Sequence, residues 1–152
     1  MRHRFLMLIL IALSVWSSAA AQNGLNIARL FDGQFRDDKN AVETIITGDP
    51  LYVYDLGYYH SLSLSSDSTK VSLLEPLVTK DGATAVDKEV SYRGGRLYYA
   101  FYTLPPVKNK FGTNINRYIF YLNQYAVGRD GVILIYMSGV ATREQVKKML
   151  KK

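Results

Sequence analysis

Few side chains in this sequence can do acid–base chemistry at neutral pH. The 152 residues hold two histidines, His3 and His60, and no cysteine. His3 falls in an N-terminal leader described below, so His60 is the imidazole available to the folded part. Asp55 and Asp67 are close to it in sequence. A histidine beside a carboxylate can act as a general base, which would suit a small hydrolase-like enzyme. Yet His60 shares a strand-like face with Leu62 and Leu64, where an imidazole is ordinarily packed. No Gly-x-Ser-x-Gly elbow or Ser-x-x-Lys motif accompanies it. No catalytic residue is therefore assigned.

The absence of cysteine excludes thiol nucleophiles, thiolate metal sites and disulfides together. A zinc site would need carboxylates around a single histidine, an uncommon set. The carboxylate clusters are Asp37-Asp38, and Asp81 with Asp87. Asp37-Asp38-Lys39-Asn40 has the composition of a solvated loop and lacks EF-hand spacing. No metal and no other cofactor is expected. Arg93-Gly94-Gly95-Arg96 resembles an RGG nucleic-acid element, but a lone copy between two β-rich runs is better explained as a hairpin turn. No nucleic-acid partner is expected.

Tyrosine is the abundant interaction residue, with twelve in the chain. Tyr98, Tyr102, Tyr118 and Tyr121 lie in β-rich runs whose side chains alternate between faces, so they cannot all enter one core. We expect some of these rings on an open sheet face, able to contact an envelope protein, a peptide or a glycan. The competing expectation is ordinary cross-strand pairing.

Charge points to the C-terminus. Removing Arg2 and Arg4 with the leader takes the formal net charge from +6 to +4. Lys147, Lys148, Lys151 and Lys152 account for all of that excess. They could touch an anionic membrane surface, although lysines in a last helical turn also complement the helix dipole.

The leader has a basic start (Arg2, Arg4), an apolar run from Phe5 to Trp16 and small residues to Ala21. That is the pattern of a secretory signal peptide over 1–21, cleaved between Ala21 and Gln22. The apolar run is too short for a membrane span, and no integral membrane segment is expected after cleavage. Without cysteine the product is no lipoprotein. The expected product is a periplasmic or secreted chain of residues 22–152, one ordinary domain in length.

Within it, Ile27, Ala28, Leu30 and Phe31 predict a short helix over 24–32 that stops at Gly33. Residues 41–47 and 58–64 predict strands, with a turn or short helix at Asp49-Pro50. Asp67 and its flanking serines suit an N-cap. Val71, Leu74, Leu77 and Val78 follow at helical spacing. Pro76 should kink that helix or split it in two. Gly94-Gly95 joins two strands over 89–93 and 96–104, and Pro105-Pro106 should end the second. Residues 107–114 predict a polar loop, and 115–125 and 131–137 two further strands. Thr142 and Gln145 fit a capping box for a last helix with Val146, Met149 and Leu150 on one side. Residues 62–71 and 134–142 share a strand–serine turn–capped helix pattern, a weak internal echo.

The segments Tyr92–Ala100, Asn116–Gln124 and Leu134–Gly139, with the Gly24-Leu25 start, resemble a domain-of-unknown-function family of small exported bacterial proteins. The resemblance covers most of the chain after the leader. It implies a shared fold and supplies no catalytic residue.

The expected fold is therefore α+β: a single domain with a largely antiparallel sheet of about six strands, two or three helices packed on one face, and a C-terminal helix. The expected function is an exported, non-enzymatic binding or interaction domain of the bacterial envelope. The alternative is the hydrolase-like enzyme built on His60.

Overall fold

Strand alternation organises the chain into two cores, one on each side of a single sheet. The computed structural model describes residues 24–65 and 67–151. The predicted signal peptide and Lys152 lie outside the described residues. The strands are β1 (Val42–Thr47), β2 (Leu56–Leu64), β3 (Asp87–Arg93), β4 (Arg96–Lys108), β5 (Asn114–Asn123) and β6 (Val132–Gly139). Their order is β1-β2-β6-β5-β4-β3, and every neighbouring pair is antiparallel. The helices are α1 (Asp49–Tyr52), α2 (Ser68–Gly82) and α3 (Arg143–Leu150), with 3₁₀ turns at Asn26–Phe31 and Gln124–Val127. The α+β class and the antiparallel sheet are as expected from sequence.

The helices divide between the faces instead of sharing one. α2 and the first 3₁₀ turn bury Val71, Leu74, Val78, Ile27 and Leu30 against Leu62, Leu134, Ile119 and Tyr121. α1 and α3 bury Leu51 and Val146 against Phe101, Tyr118, Ile135 and Met137. The reason lies in the strands. On β6, Leu134 and Tyr136 face one side and Ile135 and Met137 the other, so both sides need cover. Each fully buried Leu, Ile or Phe contributes about 1.5–3 kcal/mol.

Two proline expectations also differ from the structure. α2 runs unbroken through Pro76, which lies on the exposed side of the helix. The carbonyl of Ser72, deprived of its helical donor, is on that same side and can be hydrated. β4 continues through Pro105-Pro106 to Lys108, because a register shift between Leu104 and Val107 takes the prolines out of the ladder. That leaves only 109–113 as the loop.

Asp67 caps α2 by accepting from Lys70 N, and Thr142 and Gln145 form the capping box of α3. The two echo segments meet directly, since Leu62 pairs with Leu134 across β2 and β6. Their helices then leave to opposite faces.

Candidate functional site

His60 is 3 % exposed, on β2 beneath the first 3₁₀ turn. Its Nε2 lies 2.6 Å from Oε1 of Glu43, and its Nδ1 lies 3.1 Å from the Tyr58 hydroxyl. Phe31 covers the ring, with centroids 4.1 Å apart. Burial lowers the imidazole pKa below its usual value, and the Glu43 hydrogen bond opposes that shift. Burial, with the nearby Tyr136 and Glu43, raises the Tyr58 phenol to about 12. A carboxylate–imidazole–phenol chain can hold a proton and share it, but a ring covered in this way offers a substrate little approach.

The expected carboxylates are elsewhere. Asp55 accepts from Gln145 Nε2 at 2.7 Å, and Asp67 caps α2. Glu43 was the missed partner. It is the one charged residue of β1 and stands opposite Leu62, diagonal to His60. Asp81 and Asp87 do not cluster either. Asp81 is buried and accepts from Asn26 N, Asn26 Nδ2 and Ile27 N, which ties the first 3₁₀ turn to the end of α2. Asp87 pairs with Arg143 at 3.1 Å. Asp38 pairs with Lys70 at 2.8 Å, and that hydrogen bond holds its pKa below the usual value. Among the described residues no group of three or more His, Cys, Asp or Glu could hold a metal ion.

The four selected tyrosines do not form an open face. Tyr102 and Tyr121 are buried in the first core and Tyr118 in the second. Tyr118 stacks on Phe101 and donates to the Ala141 carbonyl at 2.7 Å. Tyr102 lies against Gly82, where an added Cβ would collide with its ring. The hydroxyl of Tyr121 is buried with no hydrogen-bond partner among the described residues, and burial pushes its pKa well above the phenol range. Tyr98 is half-buried in a bulge, skipped where Tyr92 pairs with Leu97 and Ser91 with Tyr99, and the Arg93 guanidinium lies over its ring. The adjacent Gly94 and Gly95 have φ of 58° and 78°, the left-handed values of a tight turn, so the Arg-Gly-Gly-Arg segment is the hairpin expected.

An open stretch of sheet does exist, built from other residues. On the second face Val42, Ser63, Ile133, Leu122, Tyr99 and Ser91 form one row across the six strands. In the parallel row that runs through Met137 and Tyr118, those two residues are buried. Ile133, Leu122, Tyr99 and the adjoining Phe120 are half-buried, and Ile133, Tyr99 and Phe120 pack against the edge of the second core. Tyr99 and Phe120 meet edge to face at 5.7 Å. The sequence held a signal for them: Tyr99 has opposite strand parity to Ala100, which is in the first core.

The C-terminal lysines have separate fates. Lys147 donates to Glu89 at 2.9 Å, and Arg143 contacts both Glu89 and Asp87. The Lys147 hydrogen bond, with help from Arg143, holds the Glu89 carboxyl below its usual pKa. Lys147 is thus engaged in fastening α3 to β3. Lys148 and Lys151 are exposed. No helix among the described residues is long and apolar enough to cross a membrane.

No curated protein and no solved structure matches the chain. A family model does, over residues 14–150, which span every strand and helix above. The chain belongs to that family, a family of unknown function designated DUF6108.

Proposed function

We propose that this chain is an exported, non-enzymatic binding domain of the bacterial envelope, and that it holds a polypeptide partner on the open row of its second sheet face. The observation that carries this is the apolar strip of Ile133, Leu122, Tyr99 and Phe120, which edges the second core and is only partly buried. Contiguous apolar surface left partly accessible commonly marks an interaction site. The row from Val42 to Ser91 carries no charged residue, which disfavours an anionic ligand. Tyr99 turns against Phe120 at 82° and does not pair with it as a flat stacking platform, which favours a polypeptide over a glycan. Export is supported by the basic, apolar and small-residue order of the first 21 residues.

The test is partner capture with the chain beginning at Gln22, which includes every described element. Replacing Tyr99 and Phe120 together with serine should abolish recovery of a specific envelope protein while the fold persists. Undiminished recovery by that variant would refute the assignment of the face. Finding Gln22 as the N-terminus of the natural product would support export, and an intact Met1 in the cytosol would refute it.

A further inference from the structure

We propose that the outer edge of β1 is a self-association site, where a second copy of this chain adds its own β1 antiparallel and joins the two sheets into one. The proposal is independent of the strip on the second face. β1 ends the sheet and pairs only with β2. Among the described residues no turn or loop backbone group bonds to residues 42–47. A row of outward N–H and C=O groups is thus left for another strand.

The two edges of the sheet are built differently. β3 carries Asp87, Lys88, Glu89 and Arg93, and its register breaks between Ser91 and Tyr92. Charges and a bulge are the usual defences of an edge against pairing. β1 has neither lysine nor proline, and its register with β2 runs unbroken from Val42 to Thr47. Its Val42 and Ile45 are 61 % and 50 % exposed. Its one charge, Glu43, is already bound to His60.

The occupant follows from self-complementarity. Antiparallel pairing about a two-fold axis through Ile45 sets Ile45 against Ile45, Thr44 against Ile46 and Glu43 against Thr47. Each side chain then meets one on its own face, and no like charges face each other. The charged, bulged β3 edge does not suit head-to-tail growth, so the assembly closes as a two-fold pair.

The experiment is sedimentation equilibrium on the chain beginning at Gln22, beside Ile45→Lys, with melting followed by circular dichroism. The expected result is a dimer mass for the native chain. Ile45→Lys, altered at an exposed position, should give a monomer mass with little change in monomer melting. A second readout uses the absence of native cysteine. Facing residues of an antiparallel pair have Cα atoms about 4.5–5.5 Å apart, within the range a disulfide spans. Ile45→Cys should therefore oxidise to a covalent dimer, and Tyr92→Cys on the other edge should not. A native chain that stays monomeric at its highest soluble concentration would overturn the proposal. So would a dimer that survives in Ile45→Lys, or cross-linking through Tyr92→Cys that matches Ile45→Cys.

Discussion

Tyr99 and Phe120 meet edge to face, their ring centroids 5.7 Å apart at 82°, at the half-buried edge of the second core. They stand on neighbouring strands, one row apart. One row further, Tyr118 is buried beneath the helix end and donates to the Ala141 carbonyl. The boundary between core and open surface therefore runs across a single strand, between Tyr118 and Leu122.

That boundary predicts unequal costs for removing rings. Tyr99→Ser should cost about 1–2 kcal/mol, because only part of its surface leaves water on folding. Tyr121→Ala, which empties a fully buried site, should cost about 3–5 kcal/mol. Urea denaturation of both variants checks the ordering, and equal losses would contradict the exposure assigned to Tyr99.

The buried hydroxyls give a sharper pair. Tyr118→Phe removes a hydrogen bond and leaves the Ala141 carbonyl short of a donor, so it should destabilise by about 1–2 kcal/mol. Tyr121→Phe removes a hydroxyl that has no partner among the described residues, so it should be neutral or stabilise by up to about 1 kcal/mol. The difference in urea midpoints measures it. A substantial loss in Tyr121→Phe would show that its hydroxyl is satisfied.

His60 sets a pH dependence whose sign follows from burial. Its folded pKa lies below the ordinary value of 6.5, so below that value the unfolded chain binds a proton that the folded chain resists. The stabilisation is full above about pH 6.5 and declines as pH falls towards the folded pKa. Stability should thus drop as pH falls below about 6.5, and His60→Gln should flatten that slope. At lower pH the depressed carboxyls of Asp38 and Glu89 add a further loss as they protonate. Denaturant midpoints across pH provide the check.

At Gly139 the backbone of β2 and its preceding turn approach β6 closely. A Cβ there would meet the Asp55 carbonyl oxygen and Leu56 Cα, both at 2.6 Å, next to the register shift in β2. Gly139→Ala should cost about 1–3 kcal/mol, because backbone cannot give way as a side-chain tip can. A melting temperature equal to that of the native chain would contradict this packing.

Much of the fold was legible because alternation and caps are local. Leu62 and Leu64 fixed the inward parity of β2, and Thr142 with Gln145 marked the start of α3. The distribution of helices was not legible, because it depends on which face of β6 remains uncovered once β2 and β5 have paired with it. The partner of His60 was hidden for a similar reason. Glu43 is 17 residues away and reaches the imidazole only through the β1–β2 register. Side-chain parity alone could not separate the tyrosines, because Tyr102, Tyr118 and Tyr121 are buried by elements distant in sequence while Tyr99 stays half-buried at the edge of the second core.

The most direct test of the binding surface is an affinity comparison with the envelope protein captured by the chain beginning at Gln22, once that protein is purified. The Tyr99→Ser/Phe120→Ser variant should bind it at least about tenfold more weakly, the minimum expected when aromatic anchors are removed. Tyr98→Ala, at the bulge outside the strip, should bind as the native chain does. Equal affinity of the native chain and the double variant, with both folded, would contradict the account.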